Sequence, residues 1–148
     1  MAHFAELKRE TDPFDNTKTN LVVQRVVVVS NEHVPSDEHV DGEAWCIRFF
    51  GPHTTWKQTS YNRHFRKKYA GIGDTYDEAK NKFIQKQPFA SWSLDASDDW
   101  QAPVTHPTGD PAEYVVIWDE DNRQWRGIKR SDESNWNWDA SGLTWVSA

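Results

Sequence analysis

The side chains that could do chemistry in this chain are six histidines, one cysteine and twenty-three carboxylates, and their spacing is the first test. His33 and His39 lie six residues apart in a polar stretch, with no cysteine or third histidine placed as a zinc set needs. Cys46 sits in an apolar segment with no base set beside it by any recognisable motif, so it reads as a small buried hydrophobe. Asp119, Asp121 and Asn122 look like part of a calcium loop but lack its central glycine and distal glutamate, which leaves them as turn carboxylates. Gly71 and Gly73 lack the third glycine, the leading strand and the following helix of a phosphate-binding loop, and read as positions of positive φ. Nothing singles out a facing carboxylate pair or a nucleophile elbow. The expectation is a non-enzyme without catalytic, cofactor-binding or metal-binding residues.

Two other groups point to contact. Arg63, His64, Arg66, Lys67 and Lys68 form a basic run interleaved with Phe65 and Tyr69. Such a run can hold phosphate or single-stranded nucleic acid, but in a chain of net charge −6 it better suits an acidic surface on a partner or neighbouring subunit. Nine tryptophans exceed what one small core needs. Most read as core, while Trp136 stands two residues from Trp138, on the same side of a strand, and is additional to the pairing described below. The expected partner-binding set is Arg63, Arg66, Lys67, Lys68, Trp136 and Trp138.

The elements that must position these groups read as mainly β. Met1 to Leu7 alternates as a short strand, Lys8 to Asn20 reads as a polar loop, and Leu21 to Ser30 is a β-branched strand covered on both faces and antiparallel to the first. Gly42 to Phe50 reads as the only helix, with Asp37 or Asp41 as its cap and Gly51-Pro52 as its stop. Within it Ala44, Ile47 and Arg48 share one side and Trp45, Phe49 and Phe50 another. Thr54 to Asn62 is the third strand. From residue 75 one unit recurs: an aromatic, an acid-rich turn, and a second aromatic seven or eight positions on. The pairs are Tyr76 with Phe83, Trp92 with Trp100, Trp118 with Trp125, and Trp138 with Trp145. Each reads as a hairpin whose two rings share a face. The expected division is a small antiparallel sheet with one short helix over residues 1–74, then Trp-rich hairpin repeats over 75–148.

Composition bounds the rest. Scarce Leu and Ile with 14% aromatic residues favour sheets over helix bundles. The acidic balance argues against broad nucleic-acid binding. A lone cysteine forms no intrachain disulfide, the first ten residues lack the apolar stretch of a signal peptide, and no run reaches the length of a membrane span. The expectation is a protein made and folded in a cytosol, with no membrane partner.

Several ordered blocks carry a resemblance: Met-Ala-His-Phe-Ala-Glu at the start, the Val-rich strand ending Val-Val-Val-Val-Ser-Asn-Glu, Gln58 to Asn62, Phe65 to Gly73, Thr75 to Asp77, Pro88 to Asp95 and Trp100 to Pro103. Over roughly residues 1–125 the chain resembles a family of small proteins of marine tailed phages, cyanophages especially. Its members are uncharacterised or described as virion structural proteins. The sequence departs from that pattern in a longer Lys8–Asn20 segment and an added Trp hairpin after Arg130. The resemblance implies a phage origin, and the expected role is a structural accessory on the capsid exterior or tail, assembled in the host cytoplasm and present in several copies on a symmetric lattice beside other virion proteins. It supplies no catalytic residues. A carbohydrate-binding module for host glycans and a tail-fibre assembly chaperone are the alternatives.

Overall fold

The computed structural model describes residues 1–34 and 38–148. The chain divides into two compact units, Met1–Lys86 and Gln87–Ala148.

The first unit is a five-stranded antiparallel sheet in the order β3-β1-β2-β4-β5. Its strands are β1 (Ala2–Asp12), β2 (Asp15–Val29), β3 (Thr55–Thr59), β4 (Thr75–Asp77) and β5 (Lys82–Ile84). The polar segment read as a loop is instead the far end of the β1–β2 hairpin, with Lys8 opposite Val22 and Thr11 opposite Thr19. Its side chains are largely exposed on both faces, so no hydrophobic alternation marks it. Backbone pairing carries it, helped by Asp12, which accepts hydrogen bonds from the Phe14 N–H and the Asn20 side chain at the turn. A register shift between Glu6 and Leu7 bends the hairpin nearer its root.

Alternation along the strands gives the sheet two apolar faces. Phe4, Val29 and Trp56 pack with Cys46 of the helix α1 (His39–Phe50). Ala5, Leu7, Val23, Tyr76 and Phe83 pack with Ala70 from the loop after β3. The helix buries Gly42, Glu43 and Cys46, which is neither of the two sides expected for it. The reason is Gly42. A Cβ there would lie 2.2 Å from Phe4 Cζ, so the missing side chain lets the helix settle directly on the sheet. Glu38 occupies the N-cap without a side-chain cap, and Asp41 lies in the first turn rather than before it. Asp37 lies outside the described residues. Gly51, at φ 127°, ends the helix as expected.

The second unit holds a short hairpin, β6 (Ser93–Leu94) with β7 (Trp100–Gln101), and a four-stranded meander. The meander strands are β8 (Tyr114–Asp119), β9 (Gln124–Lys129), β10 (Asn135–Asp139) and β11 (Thr144–Ser147). The hairpin at 75–84 pairs with β2, so it belongs to the first sheet and the units part at Lys86, not at residue 74. Three of the four aromatic pairs stand directly opposite each other: Tyr76 with Phe83, Trp118 with Trp125 and Trp138 with Trp145. The fourth does not. Leu94 faces Trp100, and Trp92 lies before the strand, its ring edge-on to Trp118 and Trp125. A spacing of eight instead of seven marked the difference in the sequence. Among the described residues no helix is long and apolar enough to cross a membrane.

Candidate binding surfaces

The basic run does not present one charged face. Arg63, Arg66 and Lys67 all have positive φ, between 53° and 70°, and the chain coils so that its cations point different ways. The Arg66 side chain is only 8% exposed. Its Nη1 donates to Glu43 Oε2 at 3.0 Å and to the Gln58 carbonyl at 2.8 Å, and its Nε donates to Asn81 Oδ1 at 2.9 Å. Glu43 Oε2 in turn accepts the Gln58 N–H at 2.9 Å. Gln58 lies on β3, the edge of the first sheet. Its outward N–H and C=O would otherwise offer a template for another strand. A carboxylate from the helix and a guanidinium from the loop close that template. Lys68 is likewise turned inward, onto Asp74, which also accepts the Gly71 N–H. Arg66 and Lys68 therefore hold the fold and are withdrawn from the expected partner set. Lys67 is half-buried and Arg63 is exposed. The glycine reading splits too: Gly73 has φ 91°, whereas Gly71 is absent from the positive-φ positions.

The two tryptophans of the expected set also divide. Trp138 is buried with Trp118 and Trp125, which makes it core. Trp136 is half-buried and tethered: its Nε1 donates to Ser134 Oγ at 2.8 Å, Lys129 Nζ stands 5.5 Å from the ring, and Tyr114 meets it edge-on. Trp118 and Trp125 have also satisfied their indole N–H groups, on Glu120 and the Val104 carbonyl.

The remaining chemical groups have structural work. Burial and the neighbouring Glu43 push the Cys46 thiol up to about 11, so it is protonated and inert at neutral pH. The turn carboxylates accept backbone N–H groups two to four residues on: Asp95 from Ser97 and Asp99, Asp119 from Asn122, Asp132 from Ser134, and Asp139 from Ser141 and Gly142. Hydrogen bonding holds Asp119 and Asp132 below the usual carboxylate range. His39 bonds the Gln58 side chain, whereas His33 stacks on Trp45.

What is left outside is the second face of the meander. Tyr114, Val116 and Trp118 point into the tryptophan cluster, so Val115 and Ile117 point the other way. With them on that face, by register, stand Arg126, Ile128, Asn135, Asn137 and Val146. Val115, Ile117 and Val146 remain 39%, 48% and 44% exposed. An open depression of about 350 Å³ beside them is lined by Ile117, Asp119, Arg126, Ile128 and Asn135 among others. It is shallow and open, and its lining mixes apolar with polar and charged side chains. The signal was present in the sequence: five consecutive apolar residues, Tyr114 to Trp118, on one strand must colour both faces of the sheet. The spacing of Trp118 and Trp125 reports only the clustered face of that run.

A second patch lies on α1. His33, Trp45 and Phe49 stack in near-parallel order, with interplanar angles of 24° and 11° and Phe49 68% exposed. Charge is unevenly divided as well. Unit two carries eleven acidic against four basic side chains, unit one twelve against thirteen.

No protein-family model matches this chain, and neither a curated protein nor a solved structure is similar to it at a significant level.

Proposed function

We propose that the chain is a non-enzymatic structural accessory of a tailed-phage particle, a capsid decoration or tail component that works through protein–protein contact. The observation that carries the reading is the open face of the C-terminal meander, where Val115, Ile117 and Val146 stand in water. Val115 and Ile117 on β8, with Ile128 opposite Val115 on β9, form a β-branched patch, and such a patch on a small unit is the mark of a surface that is covered in use. The nucleophile and cation candidates support the same reading from the other side, since Cys46 is buried and Arg66 and Lys68 are engaged within the fold. The sequence resemblance to phage particle proteins supplies the setting. On a symmetric lattice many copies act together, so modest affinity at each site suffices. Quantitative mass spectrometry of purified particles tests the proposal. Copies in the hundreds mean capsid and about six to twelve mean tail. Absence from the particle contradicts the reading and favours an assembly chaperone.

One observation favours a second reading, recognition of host glycans. The His33–Trp45–Phe49 stack leaves the ring of Phe49 largely in solvent, and sugar rings bind on such aromatic platforms. Retention of the chain on a glycan surface, lost in Phe49→Ala while the melting temperature holds, would establish it. Equal retention of both proteins would remove it.

A further inference from the structure

The two units treat their sheet edges differently. In the first, Glu43 and Arg66 close the Gln58 position of edge strand β3. In the second, β8 is the last strand of its sheet, and from Tyr114 to Trp118 it carries no charge, proline or glycine. Native edges are ordinarily blunted by a charge, a proline, a bulge or a covering loop.

The direction of the free backbone groups follows from the ladder. Arg130 N donates to the Glu113 carbonyl, and the register continues with Val115 opposite Ile128 and Ile117 opposite Arg126. In an antiparallel pair, alternate residues bond inward. Residues 113, 115, 117 and 119 therefore face β9, and the N–H and C=O groups of Tyr114, Val116 and Trp118 point outward.

We propose that β8 is a self-pairing edge, at which two copies of this chain join antiparallel about Val116. The strand is self-complementary there. Tyr-Val-Val-Ile-Trp is an aromatic, three β-branched residues and an aromatic in either direction. With Val116 opposite Val116 of the second copy, Tyr114 meets Trp118 of the second copy on the clustered face. Val115 meets Ile117 of the second copy on the open face. The outward set maps onto itself, so 114 with 118 and 116 with 116 become hydrogen-bonded pairs. A shift of one residue sets outward groups against inward ones. A shift of two brings Ile117 against Glu113 of the second copy, or Val115 against Asp119 of the second copy. The Val116-centred register alone matches apolar to apolar along the strand. It also joins two exposed strips into one across an eight-stranded sheet. At its ends Asp119 faces Glu113 of the second copy, and that repulsion makes the dimer weak at low salt and stronger as salt screens it. The inference stands apart from the particle reading, since it concerns the free chain.

Sedimentation velocity on the full chain, from micromolar to millimolar, tests it. The expected result is a monomer–dimer equilibrium whose Kd falls between about 50 mM and about 500 mM salt. Val116→Pro removes an outward N–H that the fold does not use, a place where an edge strand tolerates proline. It should abolish the dimer and leave the thermal transition in place. Ile117→Lys should raise Kd on the order of tenfold by setting a cation against Val115 of the second copy. Adding Val115→Glu in the same chain should restore the dimer, because position 115 of one copy faces position 117 of the other. If Val116→Pro does not fold, the charge pair decides alone. A chain monomeric into the millimolar range, a dimer indifferent to a folded Val116→Pro, or a double variant no tighter than Ile117→Lys would overturn the proposal.

Discussion

At the scale of single residues the strongest interactions lie where the chain must be stopped from doing something. Arg66 and Glu43 are nearly buried, and each fills hydrogen-bond positions that the other leaves. Removing one partner strands a desolvated charge, which costs roughly 3–5 kcal/mol in buried pairs. Lys57, 3.7 Å from Glu43, softens that loss, so Arg66→Ala should cost about 3 kcal/mol in urea unfolding. Replacing both by apolar residues of like volume should recover most of the stability, while leaving Gln58 open to a strand from another molecule. Gly42→Ala should destabilise the chain by about 1–3 kcal/mol, because overpacking against Phe4 outweighs the gain in helix propensity. The turn aspartates set the response to acid. Asp119 and Asp132 have folded values below their ordinary 3.8. Their contribution is therefore complete above that value and is lost as pH falls through the depressed one. Thermal unfolding should hold level near neutrality and decline below about pH 4. Asp119→Asn, which keeps a turn acceptor without a titrating group, should flatten that decline.

At the scale of elements the tryptophan pairs explain why short hairpins hold. Trp118 and Trp125 lie opposite each other with ring centroids 5.0 Å apart, and Trp138 with Trp145 at 5.2 Å. Trp118→Ala should cost about 3–5 kcal/mol in the unfolding of unit two. Trp100→Ala should cost distinctly less, since Trp100 faces Leu94 and lies outside the buried cluster. These pairs were legible because a spacing of seven around a four-residue turn fixes the register by itself. The Trp92 spacing broke that rule and the pair failed with it. The polar half of the β1–β2 hairpin was not legible, because its side chains are solvated on both faces and the information sits in the backbone ladder. The role of Arg66 was hidden for a related reason. A run of cations in sequence reads as one patch, but three left-handed residues scatter it. The candidate surface itself was half visible. Trp136 and Trp138 lie on the same sheet, but on its clustered side. Val115 and Ile117 mark the open one.

At the scale of the whole molecule the two units differ in charge and in how their polar groups are used. The first spends its polar groups on a closed sheet edge and a loop locked by Asp74 and Glu43. The second holds all of the excess acid, largely at its turns, and leaves Val115, Ile117 and Val146 exposed on one sheet face. A partner suited to it would carry an apolar strip bordered by basic groups, and docking would slow as salt rises. Hydrogen–deuterium exchange, comparing the free chain with the same chain in purified particles, tests the central claim most directly. The account predicts protection on assembly concentrated in residues 114–118, 126–128 and 144–147, with residues 63–68 little changed. Protection confined to 63–68, or none in the C-terminal meander, would contradict it.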